Sequence, residues 1–144
     1  MITIRAATAD DREGIRRIYV AAIGETADAK DAYRDDLIRS GGLFVAQVGN
    51  EVIGFGGIDV QAREHLKWLY FLPEHQGAGQ GSRMLKKLEA IGWQSGLHSL
   101  RVHSAPGAVE FYQKHGYGIV EEAARLDHGH EGIEMIKERR ADEG

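Results

Sequence analysis

The run Gln76-Gly77-Ala78-Gly79-Gln80-Gly81-Ser82 carries the most legible chemistry in this chain. Glycine at three alternate positions lets a backbone come close to a ligand, because no Cβ stands in the way. The apolar run Leu66-Lys67-Trp68-Leu69-Tyr70-Phe71-Leu72 precedes it, and the helix-like run Ser82-Arg83-Met84-Leu85-Lys86-Lys87-Leu88-Glu89 follows. A strand, a glycine turn and a helix start in that order form a phosphate site. The first helical turn offers N–H groups without intrahelical partners and the positive end of the helix dipole.

Several readings compete for this turn. A nucleoside triphosphate loop needs Lys-Ser/Thr after its last glycine, and Gly81 is followed by Ser82-Arg83. A dinucleotide fingerprint needs Gly-x-Gly-x-x-Gly in an early βαβ unit. Here the spacing is Gly77-x-Gly79-x-Gly81, mid-chain, and His103 stands near the place of the ribose-binding acid. A plain tight turn is the bland alternative. The remaining reading is an acyl-CoA site. Gln76-x-x-Gly79-x-Gly81 resembles motif A of the GNAT superfamily of N-acetyltransferases, Gln/Arg-x-x-Gly-x-Gly/Ala. The later stretch Ala108-Val109-Glu110-Phe111-Tyr112-Gln113-Lys114-His115-Gly116-Tyr117 resembles its motif B, Ala-x-x-Phe-Tyr-x-x-x-Gly-Phe/Tyr. A helix and a strand separate the two, as in the family.

The resemblance implies acetyl transfer from acetyl-CoA to an amine by direct attack, and it implies roles. Gly77, Ala78, Gly79, Gln80, Gly81 and Ser82 present backbone N–H groups to the CoA pyrophosphate beside Gln76. Leu69, Tyr70 and Phe71 lie along the pantetheine arm. A bulge splays this strand from the next, and the freed Phe71 N–H donates to the thioester oxygen. Tyr112 is the general acid for the departing thiolate, since a phenol is protonated at neutral pH. Packing beside Phe111 is its bland alternative.

Two positions depart from the family pattern. A carboxylate that activates the amine has a familiar place four residues before Phe71, and that residue here is Lys67, a poor base. Asp59 and Glu64 are the nearest acidic residues in sequence, and both read as solvated turn positions. Family members often carry Asn where this chain has Ala105; Ser104 is then the substitute, as helix cap and as a contact to the cofactor arm.

Other groups carry weaker signals. His128-Gly129-His130-Glu131 holds metal-type ligands without a third partner, so no metal is expected. Glu25, Asp28, Asp31, Asp35 and Asp36 form an acidic stretch that would attract a cationic amine or simply be solvated. His75 neighbours the glycine loop. Trp68 and Tyr70 share a strand face and line an acceptor pocket or fill the core.

These residues need elements to hold them. Ile2 to Ala6 reads as a strand, and Thr8-Ala9-Asp10-Asp11 as a capping box. The helix after it puts Ile15, Ile18, Tyr19 and Ala22 on one face. A second helix over 31–39 stops at Ser40-Gly41-Gly42. Strands over 43–48 and 52–60 flank Gly49-Asn50 as a hairpin. The glycine helix carries Met84, Leu85, Leu88 and Ile91 on one side. Ser99 to His103 is a strand, and a short helix over 107–115 ends at Gly116. Tyr117 to Val120 and Gly132 to Ile136 are the last strands. Strands that come in runs early and alternate with helices later predict a mixed α/β fold. The GNAT fold implied is a six- to seven-stranded sheet with about four helices and a CoA cleft between splayed parallel strands.

The 144 residues fit one domain spanning 1–144, with 137–144 a frayed tail. A net charge of −4 argues against a nucleic-acid partner, and the absence of cysteine excludes thiolate nucleophiles and disulfides. No apolar run approaches the ~20 residues that span a bilayer. A cytoplasmic protein is the default, and a homodimer is common in the family. An acyl-CoA sensor without turnover and a nucleotide-binding protein are the rival functions.

Overall fold

The structure is a computed structural model and describes residues 2–23, 28–77, 79–127 and 130–140. Seven strands form one sheet: β1 (Ile2–Ala6), β2 (Leu43–Val48), β3 (Glu51–Ile58), β4 (Leu66–Phe71), β5 (Ser99–Ser104), β6 (Gly118–Asp127) and β7 (His130–Glu138). Their spatial order is β1-β2-β3-β4-β5-β7-β6. Every neighbouring pair is antiparallel except β4 with β5. The four helices are α1 (Arg12–Ile23), α2 (Asp28–Ser40), α3 (Gln80–Gln94) and α4 (Val109–Lys114). The expected mixed sheet, antiparallel first and parallel around the glycine helix, is the one observed.

Each face of the sheet carries its own core. Ile15 and Ile18 of α1 and Leu37 of α2 pack on Leu43, Val45, Val52 and Phe55. Met84, Leu85, Leu88 and Trp93 of α3 pack on the other face with Ile58, Leu66, Leu100 and Val102. Apolar positions three and four apart on these helices make this inevitable, since each helix has one stripe to bury. Thr8 starts the first turn: its N–H donates to the Asp11 carboxylate at 2.7 Å, and Arg5 holds the same carboxylate from 2.9 Å. Ala22, expected on the buried face of α1, is exposed, at the edge of a hollow it shares with Tyr70 and Phe71 of β4.

The parallel pair is barely a pair. Only Leu66 and Val102 are in register between β4 and β5. On its other side β4 pairs Tyr70 with Phe55 but Lys67 with Gly57, so β4 spends one more residue than β3 across that interval. Trp68 sits in this bulge with φ +55°, the one non-glycine residue with positive φ among the described residues. That conformation costs roughly 1–2 kcal/mol for a residue with a Cβ. It bends β4 away from β5 and leaves a slot between them.

Two expectations about the chain end are corrected. β6 and β7 run through residues expected to be a connection and are longer than Tyr117–Val120 and Gly132–Ile136. Lys137 is not in a frayed tail: it lies in β7, 8% exposed, with Nζ 3.3 Å from the Glu89 carboxylate of α3. Tyr117 donates its hydroxyl to the same carboxylate at 2.8 Å, so a buried charge pair is anchored by a third partner.

Candidate active site

The glycine loop is built as its sequence demands. Gly77 and Gly79 both take φ +83°, and a Cβ at either would meet nothing within 4 Å. Glycine is needed there for backbone angle, not for space. Gly79 is the N-cap of the 15-residue α3, whose first internal bond runs from the Arg83 N–H to the Gly79 carbonyl at 3.1 Å. The N–H groups of Gln80, Gly81 and Ser82 therefore precede the first intrahelical bond and face outward together. Ala78 lies outside the described residues.

Opposite the loop stands β4. Phe71 lies flat over Gly54 of β3; a Cβ at Gly54 would fall 2.4 Å from the Phe71 ring. The Leu72 N–H donates to the Ile53 carbonyl at 2.9 Å. Backbone N–H groups alternate in direction along an antiparallel strand, so the Phe71 N–H points to the side from which β5 has withdrawn. Gln76 folds back and donates its side-chain amide to the Phe71 carbonyl at 3.0 Å, tying loop to strand.

A groove of about 400 Å³ joins these parts. Leu69 and Phe71 form one wall, Gln76, Gly77, Gly79, Gly81 and Ser82 its end, and Ala108, Phe111 and Tyr112 the other wall. His75 and Gly107 complete the rim. Tyr112 is 6% exposed and T-stacks on Phe111 and Tyr117, at 5.2 and 5.5 Å between centroids. Burial pushes its phenol far above the usual tyrosine value, with Tyr70 adding to the effect. The hydroxyl thus stays protonated at any physiological pH. Ser82 Oγ lies 2.8 Å from His115 Nε2, and burial lowers the His115 pKa below the ordinary imidazole value.

Several predicted residues fall elsewhere. Ser104 is 2% exposed, outside the groove lining, and donates its hydroxyl to the Ala105 carbonyl at 2.7 Å. It does not cap the helix: the turn at Pro106–Ala108 has Ala105 as N-cap and no side-chain bond. The Tyr70 side chain turns to the α1 face, 6.0 Å from the Tyr19 ring, because strand side chains alternate. Trp68 packs there too, edge-on to Tyr33 of α2 at 5.5 Å. Arg83 bonds Gln80 at 3.3 Å. Asp59 accepts the Tyr33 hydroxyl at 2.5 Å and is committed to that contact. Of the acidic stretch, Asp35 pairs with Arg12 at 2.8 Å and Asp36 with Arg39. Glu25 lies outside the described residues, as do His128 and Gly129. Among the described residues no three ligand-type side chains gather to hold a metal.

Sequence reasoning missed His115 and the lining roles of Gly107, Ala108 and Phe111. The signal for these was present. Ala108, Phe111, Tyr112 and His115 share one helical face, and a face that turns Tyr112 to the groove also turns its neighbours there.

A family model, the acetyltransferase (GNAT) domain, matches residues 7–139. The chain belongs to the GNAT family. A stretch of 73 residues is 33% identical to the uncharacterised N-acetyltransferase YjcF of Bacillus subtilis strain 168; it spans 51% of this chain and 52% of that protein. Among solved structures, yncA from Salmonella typhimurium, determined with acetyl-CoA, is 20% identical, with a TM-score of 0.78 over 100% of this chain and 98% of that one. The PaiA N-acetyltransferase of Thermoplasma acidophilum, in complex with coenzyme A, is 20% identical, with a TM-score of 0.73 over 96% and 99%. At these identities the structural likeness establishes the GNAT fold, and the slot between β4 and β5 is the feature of that fold the functional reading turns on.

Proposed function

We propose that this protein is an acetyl-CoA-dependent N-acetyltransferase acting on a primary amine of a small molecule or peptide, in the cytoplasm. The observation that carries the reading is the groove itself. It joins an outward-facing helix N-terminus, a strand edge released from pairing and a protonated phenol within one cavity. Each answers one need of thioester aminolysis. The N–H groups at 80–82 bind an anionic pyrophosphate. The released edge at Leu69 and Phe71 receives the amides of a pantetheine arm, and the Phe71 N–H donates where oxyanion charge develops. Tyr112 delivers a proton to the departing sulfur, which prevents the thiolate from re-attacking. No cysteine is present to carry the acetyl group, which favours direct attack by the amine.

The test combines calorimetry with CoA, ATP and NAD and an assay of CoA thiol release over a panel of amines. CoA binding with amine-dependent thiol release is the expected result. CoA binding without release would instead support an acyl-CoA sensor, a reading to which Lys67 and Ala105 lend weight. ATP or NAD binding without CoA binding would overturn the assignment. A homodimer is the assembly the family suggests, and light scattering reads it.

A further inference from the structure

The polar end of the groove carries a hydroxyl as well as backbone N–H groups. Ser82 stands in the first turn of α3, lines the groove, and has its Oγ 2.8 Å from His115 Nε2. The two residues come from different elements that close on each other here. A Cβ on Gly81 would fall 3.4 Å from the Phe111 ring, so α4 packs directly on the first turn of α3. The His115 ring stacks on Phe111, 4.9 Å between centroids. Its backbone is fixed as well, since the His115 N–H donates to the Tyr112 carbonyl at 3.0 Å. The imidazole is half-buried and borders a second hollow with Lys86, Glu89 and Lys137, so it exchanges protons with solvent.

Ser82 has one hydroxyl proton, and His115 decides where it goes. A bare Nε2 accepts it, and then only lone pairs of Oγ face the groove. An Nε2–H donates to Oγ instead and frees the hydroxyl proton to point at a ligand oxygen. An anion in the groove therefore selects the Nε2–H form. It selects the imidazolium most strongly, because that form adds a positive charge and a charge-assisted bond. The charges that act on His115 are Glu89 and Lys86 of α3, Lys137 of β7 and Lys114 of its own α4. Glu89 is already held by Lys137 Nζ at 3.3 Å and by the Tyr117 hydroxyl at 2.8 Å. Burial, with the lysines, keeps the free imidazole below its ordinary pKa, so at neutral pH the empty site has a proton to gain.

We propose that His115 is a positioning residue for the cofactor: it donates from Nε2 to Ser82 Oγ and so aims the Ser82 hydroxyl at an oxygen of the CoA pyrophosphate, and the imidazole takes up a proton as the cofactor binds. The proposal rests on the acyl-CoA reading above. It gives the loop a side-chain donor beside its backbone N–H groups. It also makes affinity fall as pH rises from the pKa of the free imidazole to that of the bound one.

The test titrates CoA and dephospho-CoA by calorimetry between about pH 5.5 and about pH 8. Dephospho-CoA keeps the pyrophosphate and lacks the 3′-phosphate monoester, whose own second ionisation at about pH 6 would mask the imidazole. Wild type should bind dephospho-CoA about tenfold more tightly at the acid end, with proton uptake seen in buffers of different ionisation enthalpy. His115→Gln keeps an amide donor that does not titrate. Most of the pH dependence should vanish in it, while affinity at the alkaline end stays within about threefold of wild type. His75 on the groove rim is present in both proteins, so the difference between them reports His115. Ser82→Ala should lose about tenfold at the acid end, and adding His115→Gln to it should change affinity by less than about twofold, because the histidine acts through the hydroxyl. Equal pH dependence in wild type and His115→Gln would overturn the positioning role and leave the acyl-CoA reading standing. So would a His115→Gln effect as large without the Ser82 hydroxyl as with it. Failure of wild type to bind either ligand would overturn the acyl-CoA reading, and this one with it.

Discussion

Replacing Tyr112 by phenylalanine separates chemistry from packing. The ring keeps its stacking on Phe111 and Tyr117 in the variant, because only the hydroxyl is removed. That hydroxyl has no hydrogen-bond partner among the described residues, so the fold loses no bond when it goes. Stability should therefore change by less than about 1 kcal/mol, and loss of a poorly solvated polar group makes a small gain as reasonable as a small loss. The transition state is different. Without a donor the sulfur leaves as a thiolate, and a positioned acid contributes at least ~100-fold, or about 2.7 kcal/mol of barrier. The assay is kcat under saturating acetyl-CoA, with viscosity variation to establish that chemistry limits the rate, alongside calorimetric CoA affinity and thermal melting. The expected pattern is kcat down about 100-fold, affinity unchanged, and Tm within about 4 °C. An unchanged kcat under chemistry-limited conditions refutes the acid role. A Tm fall well beyond that range would refute the packing argument, since it would require a bond that the hydroxyl was holding.

Two further predictions concern the loop and its neighbour. Gly79→Ala should weaken CoA binding at least ~10-fold and lower stability by roughly 1–2 kcal/mol; the space around the new Cβ is open, so the penalty comes from φ +83° alone. Calorimetry and denaturant melts measure both, and unchanged affinity would mean that the N–H groups at 80–82 do not hold the pyrophosphate. The second concerns pH. Burial lowers the folded pKa of His115 below its unfolded value, so the folded state binds fewer protons. Its contribution to stability is then fully present above about pH 6.5 and is lost as pH falls below it. His115→Gln should flatten the decline of Tm on that acid side, and a steeper decline in the variant would reverse the sign and sink the argument.

Legibility in the sequence followed locality. The glycine loop could be read because its angles, its helix start and its preceding strand follow one another directly in sequence. Tyr112 could be read because a short helix places its neighbours at fixed spacing. Ser104 misled because capping was argued from residue type, while the strand's alternation buries that side chain under the sheet. The β6 and β7 extensions misled for a related reason. Residues 121–127, Glu-Glu-Ala-Ala-Arg-Leu-Asp, have weak strand preference, and pairing with β7 overrides it. Lys137 reads as a solvated charge beside Glu138, Arg139 and Arg140, yet Glu89, distant in sequence, holds it in the interior. His103 was visible only as an obstacle to a dinucleotide site. Its buried place against Gly132 of β7 and beside Glu64 depends on strand pairing that no local pattern encodes.

Trp68 has a consequence for how such a protein can change. Its backbone makes the bulge that parts β4 from β5, and its ring packs against Tyr33 and Phe55 beneath α2. One residue is thus hinge pin for the donor slot and panel for the opposite wall. Glycine there would ease the left-handed strain and loosen the wall in the same stroke, and a larger shift of the wall would pull on the pin. Changes in the α1–α2 residues that touch only one side therefore disturb less than changes in the strand that belongs to both.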